Sequence, residues 1–398
     1  MLINTVEAMQ RPSYVRNCVS WASVPVSWRV VLLLVVSTTL GCDAQHQSVR
    51  SAARTEPPIT PPGLALNHFL TLKPPSNDAI IDPVSVESLP GLKLIVADRS
   101  ERAIVMFNAR DGSLVGQIAT AGREAHQLQT LYGTAILDGL VGGFDVLAQR
   151  VLLFDSIGGV RDSISLAGLG WPARTIRTIN DSLFLVTRYP QIAERGTLIA
   201  VVDRRGRVQH RAHRGGAYYR ENGPLMSQLS MPIADFAGGL IFAGFSGRDV
   251  LAVYDVSGRT VAAGAVPNMD GVRIARFESY AHSEGPLTRD DLDGFVAWLQ
   301  AQRAVILSQI VALSDSSAIL QFDYPIREGM ARRRFTKKAV FIPIVVDADR
   351  AALAIGRPLI AEGRLVGRAP GGALLLRSSG VPNNMELITV KVVKGGPA

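Results

Sequence analysis

Cysteine is almost missing from this chain. Its 398 residues hold two, Cys18 and Cys42, and one pair cannot supply the disulfide framework that staples many small exported folds. Long apolar runs are missing as well: Val30 to Leu40 spans eleven residues, about half of the ~20 a membrane-crossing helix needs. No Gly-x-Ser-x-Gly occurs, which removes the serine-hydrolase elbow, and neither common glycine-rich phosphate loop is present. Charge of one sign is also in short supply. The formal net charge is +8, of which residues 1–41 hold +2 through Arg11, Arg16 and Arg29 against Glu7. What is left is a mild basic bias over a long chain, which lacks the dense positive field expected of a nucleic-acid-binding protein.

What the N-terminus does hold is an export signal. Arginines precede the apolar run, the small and polar Ser37, Thr38 and Thr39 interrupt it, and Leu40-Gly41-Cys42 closes it. Met9 offers an alternative start behind the long leading stretch. Thr39-Leu40-Gly41-Cys42 resembles the lipobox of bacterial lipoprotein signal peptides, in which a small residue precedes a cysteine that is diacylated and becomes the new N-terminus; Thr39 stands where leucine is usual. Residues 1–41 are therefore expected to be a signal peptide and Cys42 a lipidation site. Ordinary secretion and an uncleaved anchor are the alternatives. Cys18 falls within the leader, so the mature chain keeps one cysteine. Residues 42–62, rich in Gln, Ser, Arg, Thr and Pro, read as a flexible tether between membrane and domain.

Beyond the tether the chain repeats. Val105-Met106-Phe107-Asn108 runs into a glycine turn at Gly112; the same order returns at Leu152 to Asp155 with Gly158, at Ala200 to Asp203 with Gly206, and at Ala252 to Asp255 with Gly258. The anchors Asn108, Asp155, Asp203 and Asp255 lie 47, 48 and 52 residues apart, a period that suits one four-stranded propeller blade of about 40–50 residues. Each unit offers four short apolar strands. In the second unit these are Tyr132 to Leu137, Gly143 to Ala148, Arg150 to Asp155 and Val160 to Leu166. The recurring Asp or Asn can accept bonds from backbone N–H groups two residues on, and glycine accepts positive φ, so the pair closes the hairpin between third and fourth strands.

The rhythm then fails. The degenerate copy Ile344 to Asp347 lies 92 residues after Asp255. Thr288 with Asp290 and Asp291 starts a capped helix, and Leu292, Phe295, Val296 and Leu299 share one face. A helix over about 287–303 absorbs the excess, leaving one blade behind it. The last unit offers Leu359 to Val366, Ala373 to Arg377 and Leu387 to Val393, which is one strand short, and Gly63 to Lys73 is an orphan strand that would complete it and close the ring. The expectation is an all-β, six-bladed β-propeller of four-stranded antiparallel blades over residues 63–394, with five or seven blades as alternatives. A helical insertion over about 268–304 precedes the fifth blade, and 395–398 form a tail.

Residues 63–393 resemble the bacterial six-bladed propellers of the TolB-like and NHL-like group, which includes exported and lipid-anchored members. Many of these end the first blade in a Gly-x-Gly-Pro-Gly-Glu-Phe turn; Gly122 to Leu128 stands at that place and keeps the first glycine and an apolar end. The resemblance implies architecture more firmly than activity. Some six-bladed propellers are lactonases holding calcium in the central channel, or lyases using zinc with histidines. Neither ligand set can be placed here, so no cofactor is expected, and channel calcium belongs to the alternative.

Six histidines are present. His46 and His68 fall in the tether and closing strand, His126 and His282 are isolated, and His210 and His213 stand among arginines that oppose a bound cation. Two basic stretches, Arg204 to Arg220 and Arg327 to Lys338, read as solvated connections on the rim; the second, with Arg332, Arg333, Arg334, Lys337 and Lys338, is the candidate contact with anionic lipid or an acidic partner. Among the aromatics, Tyr218, Tyr219 and Phe277 join Tyr280 and Trp298 as candidates for a binding face, the last two within the insertion. The expected protein is a monomeric, non-catalytic binding or scaffold module of the cell envelope, lipid-anchored, taking an envelope protein or a small ligand and no nucleic acid. The alternative is a metal-dependent, lactonase-like hydrolase or lyase using the central channel.

Overall fold

The computed structural model describes residues 61–393 except 75–79, 189–196, 215–230, 277–291 and 326–336 and the positions 81, 90, 270, 370–371, 380 and 382–383. The expected signal peptide, Cys42 and most of the expected tether lie outside the described residues.

The chain enters on β1 (Gly63–Leu72) and then builds the first blade from β2 (Pro83–Leu89), β3 (Lys93–Asp98), β4 (Ala103–Asn108) and β5 (Leu114–Ala119), paired antiparallel in chain order. The two central strands are almost wholly apolar because both of their faces are buried. Side chains alternate across a strand, so Leu94, Val96, Val105 and Phe107 enter one core while Ile95, Ala97, Ile104 and Met106 enter another.

The second blade holds β6 (Thr134–Leu137), β7 (Leu140–Asp145), β8 (Arg150–Phe154) and β9 (Val160–Ser165). In the third are β10 (Ala173–Asn180), β11 (Leu183–Arg188), β12 (Thr197–Asp203) and β13 (Val208–Arg214), and in the fourth β14 (Pro232–Ala237), β15 (Leu240–Phe245), β16 (Val250–Asp255) and β17 (Thr260–Ala265). The insertion follows, with the two-residue β18 (Arg273–Ile274) and helix α1 (Leu292–Ala301). The fifth blade is β19 (Ala304–Ala312), β20 (Ser317–Asp323), β21 (Lys338–Asp347) and β22 (Ala352–Ile355); β18 runs parallel to β19, and β23 (Leu359–Glu362) pairs with the far end of β21. The sixth blade is β24 (Arg364–Ala369), β25 (Gly372–Ser378) and β26 (Met385–Val393), completed by β1 as its outer strand.

Six apolar cores lie between successive blades, and one of them, with Leu72, Val86, Phe107, Leu374 and Leu387, joins the sixth blade to the first. The ring is therefore closed, and the protein is a six-bladed β-propeller. Closure also brings β2 beside β24 in a parallel bridge at Val86 and Gly367, where a Cβ on Gly367 would overlap the Val86 carbonyl oxygen.

Two expected strands are corrected. The second strand of the second blade is Leu140–Asp145 and not Gly143 to Ala148. Asp138 and Gly139 adopt φ of 49° and 76° and turn the chain directly after Leu137, so pairing resumes at once. The expected strand Leu359 to Val366 is two strands belonging to two blades. Gly363, at φ 135°, breaks it, in a conformation and a crowded site against Leu375 and Leu376 that leave no room for a side chain. The 92-residue interval holds a single blade, and within it the described helix is Leu292–Ala301.

The recurring turns form as their composition dictates. Oδ1 of Asp155 accepts the amides of Ile157 and Gly159 at 3.0 and 2.8 Å; that of Asp203 accepts Arg205 and Arg207 at 2.8 and 2.9 Å; that of Asp255 accepts Ser257 and Arg259 at 3.0 Å each. The other carboxylate oxygen takes the guanidinium of Arg161, Arg207 or Arg259. The turn glycines do a second job. Gly112, Gly158, Gly206 and Gly258 each sit with positive φ against the carbonyl of the preceding blade's outer strand, at Thr71, Ile118, Ser165 and Arg211. A repeat that closes a hairpin thus also seats each of the first four blades on its neighbour.

These bonds favour the ionised carboxylates. Asp155 is held below its ordinary value near 3.8 by the Gly159 amide first and then by Ile157 and Arg161. Asp255 is held low by the Ser257 hydroxyl first; at Asp203 desolvation pulls upward, and the bonds from Arg207 and Arg205 outweigh it. A depressed folded value contributes stability that is complete above the unfolded value and is lost as pH falls through the folded one. Thermal melts should therefore show a plateau above about pH 5 and a decline below about pH 4. Replacing Asp155, Asp203 and Asp255 together by Asn should flatten that decline.

Candidate central site

In each blade the innermost strand runs along the ring's axis, and β2, β6, β10, β14, β19 and β24 begin at the same end as β3, β7, β11, β15, β20 and β25 finish. A cavity of about 220 Å³ opens there, and every blade contributes to its lining: Val84 and Arg99, Tyr132, Arg174 with Arg177, Pro232 with Ser246, Ser308 with Asp323, and Arg364. Because all six blades meet in it, this is the mouth of the central channel.

Charge around the cavity is ordered from the backbone outward. Asp98, fully buried at the end of β3, accepts the Asp82 amide at 2.7 Å and the Glu101 amide at 2.9 Å, which pins the approach to β2. Asp82 in turn receives both Arg99, through Nε at 2.7 Å, and Arg364, whose Nη1 donates to the other oxygen. One carboxylate thus bridges the first and sixth blades beside their parallel bridge. Arg99 also lies over the Tyr132 ring, 5.1 Å from its centre, tying the second blade to the first.

Deeper along the axis, Arg177 Nε stands 3.8 Å from Asp235, whose other oxygen accepts the Ala312 amide at 2.9 Å. Arg174 donates to the Pro232 carbonyl at 3.0 Å and Arg368 to the Phe236 carbonyl at 2.6 Å. Glu87, half-buried on β2, is pushed upward by desolvation; Arg177 and Arg368 pull it down and Asp235 raises it further. Asp323 accepts Gln321 Nε2 at 2.7 Å, and Gln321 Oε1 accepts the Leu365 amide at 2.7 Å. No three His, Cys, Asp or Glu side chains stand together as a metal-ligand set among the described residues.

The ring as a whole superposes on two solved structures. A protein of Bacteroides fragilis NCTC 9343 described as exported superposes with a TM-score of 0.55 at 13% identity, covering 83% of this chain and 96% of its own. A member of the DUF4221 family from Bacteroides vulgatus ATCC 8482 superposes with the same TM-score at 13% identity, covering 84% and 99%. At such identity the likeness is one of fold. No protein-family model and no curated protein matches the sequence.

The residues singled out from sequence do not gather at this mouth. Cys42, Tyr280, Arg332, Arg333 and Arg334 lie outside the described residues, as do Tyr218, Tyr219, Phe277 and His282. Lys338, exposed, opens β21 opposite Glu362, and Lys337, half-buried, accepts the Gly363 amide through its carbonyl at 3.0 Å. Trp298, half-buried on α1, lines a separate cavity of about 240 Å³ with Arg273, Arg276 and Gln302. Arg276 there pairs with Asp249 at 2.6 Å. Exposed His126 lies 3.2 Å from Glu124, and exposed His68 bonds Thr71 at 3.3 Å.

Arg99, Arg174, Arg177 and Arg364 were not singled out because none belongs to a local cluster. They come from three blades and meet only when the ring closes. One signal was available: Arg174 and Arg364 each stand at the head of an innermost strand, as do Val84 and Pro232 in the same lining.

Proposed function

We propose that the chain is an exported, lipid-anchored six-bladed propeller acting as a non-catalytic binding or scaffold module of the cell envelope. The observation that carries this reading is the state of the axial charges. Asp82, Asp235 and Asp323 all accept hydrogen bonds from arginine, amide or glutamine donors, so they serve as supports for the mouth and not as a base poised beside a nucleophile. The arginines around them oppose a cation in the channel, which weighs against the calcium- or zinc-dependent hydrolase as the alternative. Export and anchoring are supported by the N-terminal apolar run and by Thr39-Leu40-Gly41-Cys42, and the exported description of a protein of like fold is consistent with export.

Metabolic labelling with a fatty acid should mark the wild-type chain, and the Cys42→Ser chain should lose both the label and most of its membrane association. An unlabelled wild-type chain, or equal retention of Cys42→Ser in membranes, would count against the anchor. Crosslinking in intact envelopes tests the module itself, with a reproducible protein or small-molecule adduct as the expected result. Hydrolysis of lactones that depends on added calcium would instead favour the enzyme.

A further inference from the structure

The axial cavity identifies a class of ligand. We infer that the mouth of the central channel binds a small organic carboxylate, held by Arg174, Arg177 and Arg364. This deepens the binding-module reading and rests on it.

Three features lead to that chemistry. The first is charge: four guanidinium groups and one carboxylate, Asp323, line the cavity. Behind them a single Asp82 serves both Arg99 and Arg364, while Arg177 faces Asp235 at 3.8 Å, longer than a formed hydrogen bond, and Glu87, whose ionised form burial disfavours. A ligand carboxylate entering here would meet planar forks whose geometry matches its two oxygens.

The second is the remainder of the lining. Val84, Leu307 and Ile310 supply apolar surface beside the hydroxyls of Thr175, Ser246 and Ser308. Inorganic phosphate has no use for the apolar part, whereas the carbon skeleton of an organic acid would cover it and its substituents could meet the hydroxyls. The third is size. About 220 Å³ leaves room for a short acid.

Rigidity supports the assignment. Arg174 springs from the head of β10 and is braced on Pro232; Arg364 springs from the head of β24 and is braced on Asp82. Guanidiniums fixed by the blades lose little freedom when a ligand arrives.

Titration calorimetry on the purified full-length chain tests the inference with succinate, citrate, succinamide and inorganic phosphate as probes. Expected is saturable binding of at least one acid, none of succinamide, and weaker binding of phosphate than of that acid. Arg177→Gln should weaken the acid by roughly tenfold to a hundredfold, the loss of a charge-assisted bond. Ser308→Phe, at an exposed position that fills the cavity and removes no charge, should abolish binding while the melting temperature stays near wild type. The inference is overturned by the absence of saturable acid binding to the folded wild type, by phosphate binding at least as tightly, or by unchanged affinity in folded variants. If both variants unfold, the comparison of succinate with succinamide and phosphate on wild type decides alone. A chain that yields an envelope crosslink yet binds no acid would lose this inference and keep the module reading. One that gives neither would lose both.

Discussion

A chain shortened to begin at Lys73 should fail to form a stable ring, and a permuted chain that carries residues 63–72 after Val393 should recover it. β1 is the outer strand of the sixth blade and pairs with β26 from Gly63 opposite Val393 to Leu72 opposite Met385. It buries Leu70 and Leu72 in the core that joins the last blade to the first. Truncating one such leucine costs about 2–5 kcal/mol. Removing both, with the ladder bonds, approaches the whole stability of about 5–15 kcal/mol typical of a folded protein. The loss falls on the one outer strand that chain order does not place next to its partner, because the outer strands of the other blades follow the strands they pair with. It also bares the edge of β26 for pairing with other chains. The antiparallel register places Gly63 beside Val393, so a two-residue hairpin turn can connect them in the permuted chain. Circular dichroism melts and size-exclusion profiles check both proteins. A shortened chain that melts within a few degrees of the full one would show that β1 decorates the ring and does not close it.

The same joint shows how much of the fold could be read in advance. Gly63 to Lys73 was an orphan in a sequence of four-strand units, and a ring with one strand missing has one place for it. Blade count and strand order were legible for a related reason. A strand buried on both faces must be apolar throughout, and an Asp-x-x-Gly hairpin leaves a polar mark at a fixed place after it, so each blade announces its third strand and outer turn. Boundaries were less legible where a turn lacks that mark. Asp138-Gly139 turned the chain three residues earlier than the apolar pattern suggested, and Gly363 divides what reads as one continuous strand. The axial site was not legible at all from local motifs. Arg99, the β10 pair Arg174 and Arg177, and Arg364 come from distant parts of the chain, and only ring closure makes those three groups neighbours. Asp82, the partner of Arg99 and Arg364, is an aspartate in an unremarkable connection until Asp98 fixes its backbone.

Asp98 belongs to a second recurrence that the outer turns overshadow, and substitution of its counterpart in the next blade is expected to be the most damaging single change. Asp98, Asp145 and Asp323 close the second strands of the first, second and fifth blades. Asp145 is fully buried and accepts four bonds: the Gln129 amide at 2.9 Å, the Thr130 amide at 3.2 Å, the Thr130 hydroxyl at 2.9 Å and the Ala148 amide at 3.3 Å. It thereby ties the entry to the second blade's inner strand to the turn after β7, and so holds Tyr132 at the mouth of the channel. Asp145→Ala strands several donors at once, each costing about 1–3 kcal/mol when buried without a partner, so a loss of about 3–5 kcal/mol is expected. Asp145→Asn keeps one acceptor oxygen for Thr130 and Ala148 but turns an NH2 toward the Gln129 amide, and a smaller loss of about 1–3 kcal/mol follows. Denaturant unfolding of the three proteins should rank them wild type, Asn, Ala. Because Thr130 and Asp145 share the same bonds, Thr130→Val combined with Asp145→Ala should cost less than the sum of the two changes. An Asn variant as unstable as the Ala variant would mean that the negative charge, and not the acceptor geometry, holds this corner. Additive losses would mean that Thr130 and Asp145 act apart.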